Sequence, residues 1–485
     1  MTGTLPAWAG IPQPTTVEPG TGPGWAPLPG RRVVTDGPGP AREAQRLGAE
    51  LGLPVGDAAG PGDVLLRVAP GDVAESYRVE VTDRVVVTGA DAAGVFRGTR
   101  QVLHTLTAHG ALPAGTAIGR PAVPERALHL DAARKHFTAA WVEALLHEMA
   151  HVGMNVLQWH LSEDEGFRIA SERHPEVASP DALGQDEVRR LLGVADDLHV
   201  RVAPSLSMPG HLGQVLRAHP RHRLPGGGPG ALDLTDEAAV ALALDLVDEY
   251  AGLFRPGTTW NIGADEFVDL ADLAAHPALA DEGARRFGAG ATGFDLLVDF
   301  VNRVAAAVRA RGYRPQVWND GMFRSTRVRL DPDVRIAWWT GWSPRMAPLS
   351  TALEAGHDVL NVNDSVLYYV LGEHAGYRYP TAAGVAERDW HPGVFADRRD
   401  TGSPEPQVLP APYPAQLRGA MLAIWCDRPD ARTPAQVADD VRGPLRAVAE
   451  RSWNAGTRLG PAASAALDRA IGRAPAAPAV ADLEG

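Results

Sequence analysis

Short apolar runs alternate with polar residues from residue 31 to about residue 118, and two helical repeats interrupt them. The alternating runs are RRVVTD, DVLLRVAP, SYRVEVTD and RVVVTGAD, and the helical segments are AREAQRLGAELGL and AAGVFRGTRQVLHTLTAHG. A period of two is typical of strands and a period near 3.6 of helices. The pattern predicts a small α+β domain over residues 31–120, preceded by an irregular segment rich in Pro and Gly over residues 1–30.

A second rhythm of apolar runs begins after the linker GRPAVPER, residues 119–126. Strand-like runs lie at residues 127–131, 155–161, 199–207, 260–266, 315–320, 334–340, 358–363 and 419–427. Helical patterns such as QDEVRRLLGVADDL and FDLLVDFVNRVAAAVRARG separate most of them. Eight apolar strands with helices between them predict a (β/α)8 barrel over residues 121–485. The long segment 371–418 is predicted to be a loop, and long loops in such barrels are usually functional.

Composition narrows the classes of protein to consider. The 485 residues carry a formal charge of −13, which argues against a nucleic acid or an anionic membrane as partner. The one cysteine, Cys426, excludes an internal disulfide and a thiolate metal cluster. The sequence has no 18-residue apolar run and no recognisable signal peptide, so we expect a cytoplasmic enzyme. Oligomeric state cannot be predicted from these features.

The predicted strand ends carry an unusual set of side chains. Active sites of (β/α)8 barrels lie at the carboxyl ends of the strands, so these residues are expected to converge on one rim. Five of the twelve tryptophans of the chain are among them. Aromatic faces beside hydrogen-bonding carboxylates suit a pyranose, whose C–H faces stack and whose hydroxyls bind. The set predicts a carbohydrate site and comprises Asp131, Arg134, His160, Glu163, Asp164, His211, Asp265, Glu266, Trp318, Asp320, Trp338, Trp339, Trp342, Asn363, Asp364, Tyr368, Tyr369, Trp425 and Asp427.

The run WNIGADEF, residues 260–267, places two acids side by side after an apolar strand. Adjacent carboxylates repel one another and are unusual at a buried strand end. Paired carboxylates in different environments are typical of sugar hydrolysis. The alternative for Asp265 and Glu266 is a helix N-terminus, where the helix dipole favours acidic residues.

Five motifs in chain order resemble glycoside hydrolase family 20, the β-N-acetylhexosaminidases. RALHLDAARKHF and NVLQWHLSEDEGFRI resemble the first two strand motifs of the family, and SMPGH resembles its Pro-Gly-His turn. WNIGADEF is similar to the Gly-x-Asp-Glu catalytic motif, and MLAIWCD to the Trp-x-acid of the last strand. The small N-terminal domain also agrees with this family. The resemblance covers most of the chain. Within the family, the chain looks more like the branch that contains lacto-N-biosidases and related bacterial exo-hexosaminidases.

The resemblance implies a retaining hydrolysis in which the 2-acetamido oxygen of the substrate is the nucleophile and an oxazolinium ion forms. Glu266 would be the general acid and base, and Asp265 would stay ionised and accept the acetamido N–H. Glu163 and His211 would form a polar relay beside Glu266. No metal and no cofactor is implied. The expected substrate is an oligosaccharide or glycoconjugate that ends in β-linked GlcNAc or GalNAc.

The resemblance also implies a set of substrate-binding residues. Arg134 would hold sugar hydroxyls, tryptophans would wall the acetamido pocket, and a tyrosine after strand seven would donate to the acetamido oxygen; both Tyr368 and Tyr369 fit. The chain departs from the family pattern at several positions, with Ser205 and Ser207 in place of a Glu-x-Asp pair. The predicted substrate-binding residues are Arg134, Gln158, Trp318, Trp339, Tyr368, Tyr369, Trp425 and Asp427.

Three other functions remain open at this stage. A metal hydrolase would need clustered ligands, but no strand end carries a His-x-His or His-x-x-x-His pair. A sugar-binding barrel without activity would have lost residues such as Asp265 and Glu266. A lacto-N-biosidase, which releases a disaccharide, would need a roomier pocket. We expect His160 to be a core residue, and Tyr377 and Tyr379 to be surface aromatics.

Overall fold

A mixed sheet forms the N-terminal part of the chain. The computed structural model describes residues 5–37, 39–270, 273–399, 404–456 and 459–475. In these ranges the first sheet has the order β1-β7-β5-β6-β4-β2-β3, antiparallel from β1 to β6 and parallel from β6 to β3. Its strands are β1 (Thr16–Pro19), β2 (Val33–Asp36), β3 (Val55–Gly56), β4 (Val64–Val68), β5 (Tyr77–Val81), β6 (Val85–Gly89) and β7 (Gly115–Gly119). Two helices accompany the sheet, α1 (Ala41–Leu51) and α2 (Ala92–His109).

Helix α2 lies between this sheet and the rest of the protein, so even its polar side chains are buried. Arg97 donates to the carbonyl of Ala150 at 3.2 Å and pairs with Glu75 at 3.0 Å. Glu75 also accepts hydrogen bonds from Arg126 and Asn155, both at 2.5 Å. Although burial opposes its charge, Arg126 and Arg97 lower the pKa of Glu75 to about 2. A buried ion-pair network therefore joins the two halves of the chain.

Eight parallel strands in the described part of the chain close into the predicted barrel. Each strand pairs with the next, and the last strand pairs with the first, so that no edge is left open. A short ninth strand, β15 (Tyr368–Val370), pairs with the last barrel strand above the barrel. The barrel strands are β8 (Glu125–Asp131), β9 (Val156–Ser162), β10 (Arg201–Met208), β11 (Thr259–Gly263), β12 (Arg314–Trp318), β13 (Arg335–Trp338), β14 (Val359–Asn361) and β18 (Leu417–Trp425).

Most helices of the C-terminal part surround the barrel and pack against its strands or against one another, whereas the last helix packs against α2 of the N-terminal part. Most are capped by a side chain, for example Thr292 at the start of α8 and Thr433 at the start of α12, each in a capping box. No helix in the described ranges is long and apolar enough to cross a bilayer. The helices are α3 (Ala139–His151), α4 (Gln185–Asp197), α5 (Gly213–Ala218), α6 (Glu237–Leu253), α7 (Pro277–Phe287), α8 (Gly293–Ala310), α9 (Leu349–Glu354), α10 (Asp364–Leu367), α11 (Ala382–Glu387), α12 (Pro434–Asn454) and α13 (Pro461–Ile471).

The structure confirms the barrel behind a small sheet domain and corrects local predictions. Residues 16–19, expected to be irregular, pair with β7 as an edge strand, which the Pro and Gly content of the segment concealed. The segment 371–418 is not only a loop: it contains α11 and the hairpin of β16 (Val394–Arg398) and β17 (Glu405–Val408). Part of that segment, residues 400–403, lies outside the described residues.

Candidate active site

The turn after β11 presents Asp265 and Glu266 to the mouth of the barrel. The strand ends at Gly263, three residues earlier than the apolar pattern predicts, and Gly263 has φ = +86°. A Cβ at Gly263 would lie 2.5 Å from the Ser207 hydroxyl oxygen of the adjacent strand, so only glycine fits. Ala264 and Glu266 also have positive φ, at 66° and 36°. This tight left-handed turn, rather than a twist of the strand itself, brings the two adjacent carboxylates onto one rim.

His211 lies between three carboxylates. Its Nδ1 is 2.9 Å from Glu163 Oε2, and its Nε2 is 3.4 Å from Asp265 Oδ2 and 3.9 Å from Glu266 Oε2. Against the burial that disfavours its charge, Glu163 and Asp265 raise the pKa of His211 well above its ordinary value. Burial also disfavours the charge of Glu163, but His211 and Arg134 outweigh it and hold the pKa of Glu163 well below its ordinary value. The pocket therefore holds an imidazolium next to the adjacent acids.

Glu266 and Asp265 differ in their surroundings. The side chain of Glu266 is 55 % exposed at the open end of the pocket, and partial desolvation together with Asp265 raises its pKa. Asp265 is more enclosed, and its Oδ1 is inaccessible to solvent and has no hydrogen-bond partner in the described part of the protein. An unpartnered buried carboxylate oxygen is costly, so it is well placed to accept a hydrogen bond from a ligand.

Arg134 lines the pocket, but protein carboxylates already bind much of its guanidinium group. Its Nη1 donates to Asp131 Oδ2 at 2.9 Å, and its Nη2 lies 2.9 Å from Glu163 Oε1. The guanidinium also lies 5.7 Å from the centre of the Trp425 ring, a cation–π distance. The group is thus held rigidly beside Asp427, whose pKa is raised by burial.

Four aromatic side chains wall the inner end of the pocket. Trp339 and Tyr368 face each other in parallel, with ring centroids 5.9 Å apart and an interplanar angle of 4°. The rings of Trp318 and Trp425 have a centroid separation of 5.9 Å, and the Trp425 ring centroid lies 6.1 Å from that of Tyr368. All four line one cavity of about 840 Å³ together with Asp265 and Glu266. A small apolar group flanked by polar groups, such as an acetamide, would fit this end.

Two predicted substrate-binding residues lie outside the cavity, and both predictions are corrected. Tyr369 follows Tyr368 in β15, so alternation along the strand points it away, and its hydroxyl donates to Asp440 at 2.8 Å. Gln158 is 2 % exposed inside the barrel, where its amide donates to His129 Nδ1 at 2.9 Å and accepts from Gln316 at 2.7 Å. Both ends of its amide are thus hydrogen-bonded to other side chains of the barrel interior, and Gln158 does not line the cavity.

Asp320 and the long segment after β15 were expected near the rim, but no specific role was predicted for Asp320, Tyr377 or Tyr379. Asp320 Oδ1 accepts a hydrogen bond from the Trp339 indole at 3.2 Å, and burial together with Asp265 raises its pKa to about 7. Tyr377, expected at the surface, lines the cavity and donates to Asp364 at 3.2 Å, and Tyr379 lines it too. The GYRYP run gave no signal beyond its two aromatics. His160 is buried as expected, 3.1 Å from Glu163.

Metal ligation inside the cavity would compete with existing hydrogen bonds. Oxygen and nitrogen atoms of Glu163, Asp164 and His211 lie within 4.8 Å of one another. Glu163 is bound to Arg134, His160 and His211, and Asp164 accepts the Gly213 N–H at 2.8 Å. The oxygen and nitrogen atoms that could bind a metal ion are thus already engaged in hydrogen bonds and ion pairs within the protein.

Comparison with known proteins gives consistent matches over both parts of the chain. Residues 124–456 match the family described as "Glycosyl hydrolase family 20, catalytic domain", and residues 10–118 match "Glycosyl hydrolase family 20, domain 2". A lacto-N-biosidase from Bifidobacterium bifidum is 27% identical over 78% of this chain, which spans only 33% of that protein. A β-N-acetylhexosaminidase from Cellulomonas fimi is 25% identical over 79% of this chain and 74% of its own length.

The fold has close counterparts among solved structures. The family 20 β-N-acetylhexosaminidase from Streptomyces coelicolor A3(2) superposes with a TM-score of 0.75 at 22% identity, covering 98% of this chain and 99% of its own. At this level of identity the likeness supports the fold of both domains.

Proposed function

The chain belongs to glycosyl hydrolase family 20, as its motifs indicated, and on this premise we propose that it is an exo-acting, retaining β-N-acetylhexosaminidase. It would remove a terminal β-linked GlcNAc or GalNAc from an oligosaccharide or glycoconjugate. The observation that carries the proposal is the adjacent pair Asp265 and Glu266 facing an aromatic-walled cavity, with one oxygen of Asp265 buried and unpartnered among the described residues. The aromatic wall would enclose the acetamido methyl group, and the open side would receive the aglycone.

In the first step, the acetamido carbonyl oxygen attacks the anomeric carbon while Glu266 protonates the departing glycosidic oxygen. The raised pKa of Glu266 keeps its carboxyl group protonated to a higher pH than an ordinary glutamate, as a general acid requires. Asp265 accepts the acetamido N–H through Oδ1, which orients the carbonyl oxygen and stabilises the positive charge that develops on the oxazolinium ring.

In the second step, the Glu266 carboxylate takes a proton from a water molecule, which attacks the anomeric carbon from the side that the aglycone left. The oxazolinium ring opens, the acetamido group is regenerated, and two inversions give net retention. His211, charged and bound to Glu163, offsets part of the repulsion between Asp265 and the newly formed Glu266 carboxylate.

The experiment compares wild type, Glu266→Gln and Asp265→Asn on 4-nitrophenyl β-N-acetylglucosaminide and its galacto epimer. Loss of the general acid and base should lower kcat by about 10²–10⁴-fold, and loss of the charge on Asp265 by about 10²–10³-fold. Proton NMR of the first product should show the β-anomer.

Participation of the acetamido group is tested with substrates whose acetyl group carries one, two or three fluorines. Fluorine withdraws electrons from the carbonyl oxygen, so kcat/KM should fall with each substitution. Equal rates along the series would contradict a substrate-assisted mechanism, even if Glu266→Gln is inactive.

A second candidate is the release of a disaccharide, as the name of the Bifidobacterium relative describes for that protein. The observation that favours it is the size of the cavity, which extends past the aromatic wall to Tyr377, Arg378 and Arg388. A 4-nitrophenyl lacto-N-bioside distinguishes the two. Hydrolysis of this glycoside with no release from the monosaccharide glycosides would assign the disaccharide activity.

A further inference from the structure

Two loops on the outside of the barrel bring two histidines and a glutamate together, away from the active-site cavity. His174 precedes a 3₁₀ turn at Pro175–Val177, which contains Glu176, in the segment that follows β9. His219 caps the carboxyl end of α5, in the segment that follows β10. One nitrogen of each histidine and one carboxylate oxygen lie within 4.8 Å of one another. The side chains of His174 and His219 are partly exposed to solvent, and that of Glu176 is exposed.

The distances in this cluster match those between ligands of one metal ion. His219 Nε2 lies 2.9 Å and His174 Nδ1 lies 3.6 Å from the same oxygen of Glu176, Oε1. His219 Nε2 is inaccessible to solvent, and its alignment with the carboxylate is not that of a hydrogen bond. In a tetrahedral site with metal–ligand distances of 2.0–2.2 Å, neighbouring ligand atoms are about 3.3–3.5 Å apart. The two observed distances bracket that value, so shifts of a few tenths of an ångström would bring each histidine–glutamate pair to it, and the ligand nitrogens of the two histidines lie within 4.8 Å of each other.

Asp245 on α6 holds His174 in the orientation that metal ligation needs. Its Oδ2 lies 2.7 Å from His174 Nε2, while its Oδ1 accepts a hydrogen bond from Arg173 at 2.7 Å. A carboxylate on Nε2 selects the tautomer that carries the proton there and leaves a lone pair on Nδ1, the nitrogen that faces Glu176. Such carboxylate–histidine pairs are typical behind metal-ligating histidines.

We propose that His174, Glu176 and His219 bind one divalent transition-metal ion, best suited to Zn²⁺, with water in the fourth position. Two imidazoles and one carboxylate suit Zn²⁺ and its neighbours in the first transition row, whereas Mg²⁺ and Ca²⁺ prefer oxygen ligands alone. The ion would tie the segment after β9 to the segment after β10. These segments also carry Glu163 and His211, so the ion would restrain the loops that support the cavity without touching the substrate.

To test the proposal, the full chain is treated with EDTA, dialysed and then titrated with Zn²⁺ in a calorimeter. Wild type should bind one equivalent, and Co²⁺ in place of Zn²⁺ should give the visible absorption of a four-coordinate site. His219→Ala and Glu176→Gln should each weaken binding at least about 10-fold, and Asp245→Asn about 10-fold through His174. His136→Ala removes a histidine that lies 3.6 Å from a single carboxylate, that of Asp181, and should bind as wild type does.

Several results would overturn the proposal. The first is the absence of binding by wild type, and the second is unchanged binding by both His219→Ala and Glu176→Gln. The third is binding that these two variants keep but His211→Ala loses, which would place the ion in the cavity. Melting curves in EDTA verify that each variant is folded. If His219→Ala does not fold, the conservative variant Glu176→Gln still tests the proposed site. The titration is repeated with Glu266→Gln, whose binding should equal that of wild type, so this outcome is independent of the proposed hydrolase activity.

Discussion

The exchange Asp320→Asn tests the electrostatics of the cavity because it removes the third carboxylate beside Asp265 and Glu266. Asp320 is buried and lies close enough to Asp265 for its pKa to rise to about 7, chiefly through burial. An asparagine has nearly the same shape, and its carbonyl oxygen can still accept the hydrogen bond from the Trp339 indole. The substitution therefore changes charge far more than packing.

The sign of the effect follows from the raised pKa. Below pH 4 the carboxyl group of Asp320 is protonated in the folded and the unfolded chain, and its contribution to stability is fully present. Between pH 4 and pH 7 the unfolded chain releases this proton and the folded chain retains it, so the free energy of unfolding falls as the pH rises. Above pH 7 both states are ionised and the loss is complete.

Each pH unit between the two pKa values corresponds to about 1.4 kcal/mol, so the full span is about 4 kcal/mol. Because the charges of neighbouring acids interact with that of Asp320, the expected effect of Asp320 alone is about 2–4 kcal/mol. The asparagine of the variant does not titrate. The free energy of unfolding of the variant, minus that of wild type, should therefore rise by this amount from pH 4.5 to pH 8.5.

The assay is urea unfolding at four pH values across this range, followed by tryptophan fluorescence. Asp186→Asn is the control, because that side chain is 99 % exposed and its replacement should give a difference close to zero at every pH. A difference between Asp320→Asn and wild type that stays constant with pH would refute the reasoning, since it would mean that Asp320 ionises as an ordinary surface aspartate does.

Two further predictions concern the tyrosine pair and the buried network between the domains. Tyr368→Phe should lower kcat about 10-fold or more if its hydroxyl reaches the acetamido group, whereas Tyr369→Phe, which loses only the hydrogen bond to Asp440, should keep wild-type kinetics; equal losses would contradict the assignment. Glu75→Gln leaves two buried arginines without their charge partner and should lower the free energy of unfolding by about 3 kcal/mol in urea titrations. Glu80→Gln, which breaks a partly exposed pair with Arg78, should cost less than about 1 kcal/mol, and a similar loss in both variants would contradict the network.

Local pattern was sufficient to predict the barrel and to single out the adjacent acids proposed to be catalytic. The barrel shows in the sequence as short apolar runs separated by helical repeats, and both are patterns of consecutive residues. The apolar runs recur because every barrel strand is buried on both faces. Asp265 and Glu266 were recognisable for the same reason, since two adjacent acids after an apolar strand stand out in the sequence alone. The exact end of β11 was not recognisable in the sequence, because the turn depends on how closely Gly263 approaches Ser207 of the neighbouring strand.

The direction in which each of these side chains points was decided only by the tertiary structure. Tyr368 and Tyr369 are equivalent in a sequence, and the pairing of β15 with β18 determines which of them points into the cavity. Gln158 was predicted to bind the substrate, but its side chain is hydrogen-bonded to His129 and Gln316 inside the barrel. Tyr377 enters the cavity because its loop folds back over the barrel mouth.

The sequence by itself determined the class of fold, the order of the elements and the residues that carry the proposed chemistry, because these depend on local periodicity and on motifs a few residues long. Only the tertiary structure brought Asp320 beside Asp265, and His174 and Glu176 beside His219, since the residues of each set come from different segments of the chain. Contacts between such distant positions depend on strand register and loop path, which no local pattern specifies.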